Sequence, residues 1–316
     1  MRYVIFPYNM SSQTSKAIQL QINSAGLARC LRVYPDRTYR PNRDDIIINW
    51  GNSKKPHWWQ DDLQLLNGFD EVRNAVNKLV TFNKLHRFLH VPPFTTNKDV
   101  VKQWFAEGVD KVYARQILTG HGGEGIAVLT PNMEIPDAPL YTKKIKADRE
   151  YRVFVGRTSR ATNEGTGIGH RWDYWMISQS RKLRLTKEHL FERNIELDKD
   201  VRNLHNGWIY SRMESCPRKV TALAQEVIAI MDLDFGAVDV LYNSKTSETT
   251  CLEINTAPGL EGSALAEFVN FLYYRVGLRR KNGPYDLGDI LADNAVREEP
   301  QDNEDNGTDW LEEDNN

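Results

Sequence analysis

Residues 235–262, FGAVDVLYNSKTSETTCLEINTAPGLEG, constrain this chain more than any other stretch. Val238, Val240, Leu252 and Ile254 alternate with Asp239, Glu253 and Asn255, the pattern of two half-buried strands. The polar run from Asn243 to Glu248 between them predicts a hairpin. Closed symmetrically about Thr246, it sets Asp239 opposite Glu253. Asn255 then shares the face of Glu253, because strand side chains repeat every second residue. Facing carboxylates repel one another, and a bound cation converts that repulsion into a site. All three side chains offer hard oxygens, which suit Mg2+ or Mn2+ and not Zn2+. The bland alternative is a solvated polar face, and the full run E-I-N-T-A-P-G-L-E-G argues against it.

The chain has 316 residues, enough for a large core and two or three subdomains. No apolar run is long enough to span a bilayer. The opening MRYVIFPYN reads as a short strand and not as a signal peptide. Cys30, Cys216 and Cys251 are scattered without metal-ligand or disulfide spacing, which points to a reducing cytoplasm. The net charge of −2 hides an asymmetry. Residues 296–316 hold nine acidic side chains against one arginine, so the remaining body is positive by about six charges. That acidic, apolar-poor tail is expected to be disordered. A mildly basic body fits an enzyme that handles phosphates; it is too weak a bias to indicate a nucleic-acid binder.

The pattern along the chain is α+β, with mixed α/β character. RYVIFPY, CLRVYP and DDIIINW read as strands, with a helix after Ser11 or Ser12 ending near Gly26. The spacing predicts helices over NKLVTFNKLHRFLH, stopped by Pro92-Pro93, and over KDVVKQWFAEG. Strands follow at KVYARQIL, GIAVLT, LYTKKI and EYRVFVG, with HRWDYWMI as a further one. RKVTALAQEVIAIMDL leads as a helix into the hairpin, and SALAEFVNFLYYRV follows it as another. The expected division is a βαβ-like unit over 1–75, a small subdomain over 76–140, a larger one over 141–295, and the tail.

Three further groups carry chemistry. Thr119-Gly120-His121-Gly122-Gly123-Glu124-Gly125 lies between two strands. Its glycines allow several N–H groups to face one anion. A Walker loop or a dinucleotide turn requires a following helix, which is absent, so the loop reads as a flap. Lys78, Arg115, Lys143, Lys144 and Lys182 are cations near these motifs, able to neutralise a triphosphate. In DREYRVFV, alternation puts Glu150, Arg152 and Phe154 on one face. There Arg152 either clamps an anion bidentately or pairs with Glu150 along the strand.

Taken in order, N-K-L, the flap, Y-T-K-K-I, E-Y-R-V-F-V, A-V-D-V and L-E-I-N-T-A-P-G-L-E-G resemble the ATP-grasp superfamily over about residues 75–275. The likeness is nearest to the ATP-grasp proteins common in bacteriophage genomes. The resemblance implies an ATP-grasp fold that holds a nucleotide between two α+β subdomains, preceded by the small N-terminal unit. It implies that Asp239, Glu253 and Asn255 hold Mg2+ on the phosphates of ATP, that Gly122, Gly123 and Gly125 cover those phosphates, and that Lys78 and Arg115 contact them. Many relatives carry lysine at the position of Arg115. The resemblance further assigns the adenine-reading hinge to Lys143, Lys144 and Ile145, and the ribose hydroxyls to Glu150. It places Arg152 and Lys182 at the reacting phosphate and acyl group. Gly259 and Gly262 would let backbone approach the substrate.

The implied activity is ATP-dependent ligation of a small-molecule or peptide carboxylate to an amine, through an acyl phosphate. A small-molecule kinase on the same scaffold, and a non-catalytic nucleotide-binding partner protein, remain alternatives. The acceptor and the oligomeric state are not readable from these residues. Replacing Asp239 and Glu253 together, D239N/E253Q, is expected to abolish nucleotide turnover in an ADP-release assay; full retention of turnover would remove the hairpin from the chemistry.

Overall fold

The computed structural model describes residues 1–35, 38–120, 123–158, 173–213 and 215–278, and the backbone of 311–312. The N-terminal unit alternates strand and helix: β1 (Arg2–Pro7), α1 (Gln13–Ala25), β2 (Arg29–Arg32), β3 (Asp45–Trp50), β4 (Gln64–Leu66) and α2 (Phe69–Val76). Its four strands form a parallel sheet in the order β2-β1-β3-β4. The unbroken apolar runs of β1 and β3 follow from burial on both faces. Tyr3, Ile5, Ile46 and Ile48 pack inward, while Val4, Phe6 and Ile47 pack under Trp58, Leu63 and Phe69. Gly26 ends α1 in the left-handed conformation, φ 69°, as its sequence signal predicts.

A small antiparallel sheet comes next. Its elements are α3 (Lys78–Leu85), β5 (Phe94–Thr95), α4 (Lys98–Ala106), β6 (Val112–Arg115), β7 (Ile126–Leu129) and β8 (Leu140–Lys143). The strand order is β5-β8-β6-β7, and α4 covers one face through Val101 and Trp104. Helix α3 is shorter than the apolar spacing predicts and ends at Leu85, before Pro92.

The larger sheet is built from β9 (Arg149–Arg157), β10 (Tyr174–Leu185), β11 (Trp208–Arg212), β12 (Phe235–Asn243) and β13 (Glu248–Asn255). The helices α5 (Lys187–Glu192), α6 (Arg218–Ile230) and α7 (Gly262–Arg275) connect or cover it. It is antiparallel in the order β11-β10-β9-β12-β13. A two-residue strand β14 (Leu311–Glu312) pairs with β10 at Arg184 and Leu185. The rest of the acidic tail lies outside the described residues.

Each face of the large sheet has its own core. Helix α6 lays Val220, Leu223, Ala224, Val227 and Ile228 on Tyr151, Val153, Val155, Val238 and Val240. On the opposite face, α7 wedges Phe268, Phe271 and Leu272 between Phe154 and Phe235 and the N-terminal sheet. Asn67, at φ 61°, fastens the two units. Its Oδ1 accepts from the Asp234 and Phe235 amides at 2.8 and 3.1 Å, and its Nδ2 donates to Phe235 O at 3.0 Å. All three cysteines are free thiols, Cys30 and Cys251 in the core. Among the described residues, no helix is long and apolar enough to cross a membrane.

The packing of α7 on β9 leaves no room at Gly156. A Cβ there would lie 2.4 Å from the Phe271 ring. Gly156→Val is expected to cost about 1–3 kcal/mol through overpacking, read as a lower denaturant midpoint at an unchanged m-value; an unchanged midpoint would show that α7 yields freely.

Candidate active site

The hairpin places its carboxylates as the alternation predicts, by a different route. Asn243 pairs with Glu248 around a four-residue turn, and Val240 pairs with Cys251. Asp239 then pairs with Glu253, which leaves Leu252 as an extra residue, a β-bulge. Without that bulge, a turn of this length would set Asp239 opposite Leu252. The predicted alternation is therefore corrected at one position. Leu252 lines the cavity beside Glu253, and Cys251 takes the core position opposite Val240.

The register extends this pairing across the whole sheet. Arg212, Ser180, Arg152, Asp239 and Glu253 stand opposite one another in a single row over five strands. One step along the same face, Glu150 on β9 meets Lys182 of β10 and Tyr210 of β11. This face is core where α7 covers Phe154. Beyond the helix, about 7 Å per two residues along the strand, it becomes the floor of a cavity of about 540 Å³. That volume lies in the range of small-molecule sites.

The floor is a network of paired charges. Arg152 donates from Nε and Nη2 to the two oxygens of Asp239 at 2.7 and 2.8 Å. Asp239 is 5% exposed. Burial alone would raise the Asp239 pKa, but the guanidinium beside it holds the carboxyl below its ordinary range. Burial would likewise lower the pKa of Arg152, and Asp239 reverses this to a net rise. Lys182 donates to Glu150 Oε1 at 2.5 Å and to the Arg202 carbonyl at 2.9 Å. The Glu150/Arg152 pair considered from the sequence is therefore not the partnership adopted. Tyr210 lies beneath both cations, its ring centre 4.2 Å from Arg152 and 4.7 Å from Lys182, and its hydroxyl donates to Glu150 at 3.0 Å. Burial, with Asp239 and Glu150 adding to it, pushes the phenol well above its ordinary pKa.

The roof comes from the small sheet. Asn77 caps α3 through the Leu79 and Val80 amides and so fixes Lys78, which is 7% exposed. Lys78 Nζ donates to Gly120 O at 2.9 Å and to Glu253 Oε1 at 3.3 Å, joining the flap root to the hairpin. Arg115 is 8% exposed and lines the same cavity. Its Nε has no hydrogen-bond partner, and no carboxylate lies within ion-pair distance among the described residues. Burial lowers its pKa, with Glu253 opposing. An unpaired guanidinium facing a cavity calls for an anion.

Lys143, Lys144 and Ile145 line the opposite end. The Lys143 and Lys144 amides donate to the Pro93 and Lys111 carbonyls, so they are engaged within the protein. Lys144 and Lys111 both bind Asp200, at 3.0 and 2.5 Å, which clasps the small sheet to the loop before β11. In the flap, Gly123 has φ 85°, and a Cβ on it would lie 2.4 Å from Val201 Cγ1. Gly125 is not among the residues lining this cavity and shapes the flap's return at φ 67°, its carbonyl accepting from the Gln116 amide. Gly122 and His121 lie outside the described residues. The other residues expected to hold nucleotide, metal or the reacting groups line the cavity, whereas Gly259 and Gly262 do not. Tyr210 and Asp200 were not anticipated. The alternation of Trp208, Tyr210 and Arg212 after Gly207 was a strand signal for the first; nothing local marks Asp200.

The donors present suit a divalent cation that keeps other ligands. Asp239 and Glu253 offer carboxylate oxygens, and Asn255 an amide oxygen that also accepts from the Ala257 amide at 3.0 Å. No group of three His, Cys, Asp or Glu side chains that could hold a metal occurs among the described residues. Such a set fits Mg2+ completed by phosphate oxygens and water.

Solved structures of ATP-grasp proteins share this architecture. A RimK-domain ATP-grasp protein from Sphaerobacter thermophilus superimposes with a TM-score of 0.53 at 14% identity, over 85% of this chain and 98% of that one. D-alanyl-alanine synthetase A from Vibrio cholerae gives 0.55 at 14% identity, over 94% and 98%. The ATP-grasp ligase PsnB, solved with a phosphomimetic variant of a minimal precursor, Mg and ADP, gives 0.59 at 10% identity, over 87% and 99%. No protein-family model and no curated protein matches the sequence. At these identities the likeness establishes the fold, and the chain has the ATP-grasp fold.

Removing Arg152 leaves a buried carboxylate without its partner. Asp239 has a depressed folded pKa, so its contribution to stability is present at neutral pH and is lost as pH falls through that value. Arg152→Met is expected to destabilise by somewhat less than the roughly 3–5 kcal/mol of a fully buried pair, because the guanidinium is 30% exposed. Its acid unfolding should begin at higher pH, measured by fluorescence across a pH series; coincident acid limbs would show that the pair contributes nothing.

Proposed function

We propose that this chain is a Mg2+-dependent ATP-grasp ligase that joins a carboxylate to an amine. The observation that carries the reading is convergence. Lys78, Arg115, Arg152 and Lys182 meet Glu150, Asp239 and Glu253 in one cavity, and Arg115 has no counter-ion of its own among the described residues. ATP lies with adenine toward Lys143, Lys144 and Ile145 and its phosphates toward Asp239, Glu253 and Asn255. Bound there, Mg2+ screens charge on the transferring phosphoryl group. Lys78 and Arg115 hold the phosphates, while the flap with Gly123 excludes water. Glu150 takes the ribose hydroxyls by exchanging part of its contact with Lys182 and Tyr210.

The chemistry then needs positioning and charge neutralisation and no nucleophilic side chain. A substrate carboxylate oxygen attacks the γ-phosphorus, and the bond from that phosphorus to the β–γ bridging oxygen breaks, releasing ADP. Arg152 and Lys182 face the acyl phosphate so formed. An amine nitrogen attacks the acyl carbon, the carbon–oxygen bond to phosphate breaks, and the amine loses a proton to solvent. The products are an amide, ADP and phosphate.

With ATP, Mg2+, a panel of carboxylic acids and hydroxylamine as the amine, ADP and phosphate are expected in equal amounts together with a hydroxamate. A stable phosphorylated product without hydroxamate would overturn the ligase reading in favour of a kinase.

A further inference from the structure

A second pocket of about 220 Å³ opens beside the first. The two share Lys78, Gly120, Leu252, Glu253 and Asn255, and the second touches none of Lys143, Lys144 and Ile145. It therefore continues the cavity past its metal-binding end, away from the proposed adenine end. Its outer wall is the N-terminal sheet. Tyr8 directly follows β1 and Gly51 directly follows β3. These two strands are neighbours, and from them the chain leaves in opposite directions, to β2 on one side and β4 on the other. The pocket thus sits outside the carboxyl ends of the strands at a topological switch point, where parallel sheets hold their ligands.

The lining is nearly without charge. Among the described residues its charged side chains are Lys78 and Glu253, already paired with each other at 3.3 Å. Ala75, Val76, Phe82 and Ala257 supply apolar wall, and Thr81 and Thr119 neutral hydroxyls. The floor is set closely. Gly51 has φ 82°, and a Cβ there would lie 2.8 Å from the Ala257 Cβ and 2.9 Å from the Tyr8 ring. Among the described residues, a second ionised group inserted here finds no counter-charge beyond the paired Lys78 and Glu253, and its desolvation is uncompensated.

We propose that this pocket holds the body of the carboxylate substrate, and that this body is small and uncharged: an aliphatic or aromatic monocarboxylic acid. The proposal rests on the ligase reading, with the reacting carboxylate where the two pockets join, facing Arg152, and the remainder projecting past Asn255 toward Tyr8. An amino acid or a dicarboxylate brings a second charge that the pocket does not match.

The test uses the whole chain with Mg2+, ATP and hydroxylamine, and compares isovalerate, benzoate and 3-phenylpropionate with leucine, phenylalanine and succinate. The acids with uncharged bodies are expected to show kcat/KM at least about tenfold higher. Tyr8 is half exposed, so Tyr8→Arg spares the fold. It should lower kcat/KM for the monoacids about tenfold, raise it for succinate, and leave the calorimetric affinity for Mg2+–ATP unchanged. Turnover confined to leucine, phenylalanine or succinate would overturn this proposal alone, as would a Tyr8→Arg variant with unaltered acid preference. Turnover with none of the acids would overturn the ligase reading itself.

Discussion

The bidentate pair of Asp239 and Arg152 is the interaction on which the site depends. A carboxylate buried on a central strand is costly to keep ionised, and here a neighbouring strand supplies its counter-ion in fixed geometry. Arg152 is in turn held over the Tyr210 ring, whose hydroxyl binds Glu150, whose other partner is Lys182. Each charge is thereby positioned by an opposite one. Buried pairs of this kind contribute little net stability, so their value lies in fixing where the charges are before a ligand arrives.

That network exists because of where the apolar packing stops. Helix α7 covers Phe154 and Phe235 on one face of the large sheet, and the polar side chains begin on the same face just beyond it. The bulge at Leu252 keeps Glu253 in line with Asp239 after a turn whose length would otherwise have offset them. Over this floor the small sheet is fastened at two places. Lys78 joins the flap to Glu253, and Asp200 joins Lys111 and Lys144 to the loop before β11. The Asp200 fastening is partly exposed, so its pairs are weak ones, whereas Lys78 is buried.

The N-terminal sheet brings a different chemistry to the same place. Its strands are buried on both faces, and only their carboxyl ends reach the site, through Tyr8 and Gly51. Asn67 and Asp234 hold this unit against the start of β12 by a closed set of hydrogen bonds. The wall it contributes is nearly neutral, beside the strongly charged end formed by Lys78, Arg152, Asp239 and Glu253.

Much of this was legible in the residues themselves. The doubly buried strands, α6, α7 and the hairpin follow from local periodicity, which neighbours in sequence express by themselves. So does the sharing of one strand face by Glu150 and Arg152. Which partner each side chain takes was not legible: Arg152 meets Asp239 across 87 residues, and Glu150 meets Tyr210 across 60. The bulge at Leu252 and the clasp at Asp200 have the same origin. Period and residue type set which groups face a common side, because those depend only on backbone geometry within one strand. Register, pairing and the edge of the apolar cover are decided by strands meeting in space, and only the folded chain holds that information.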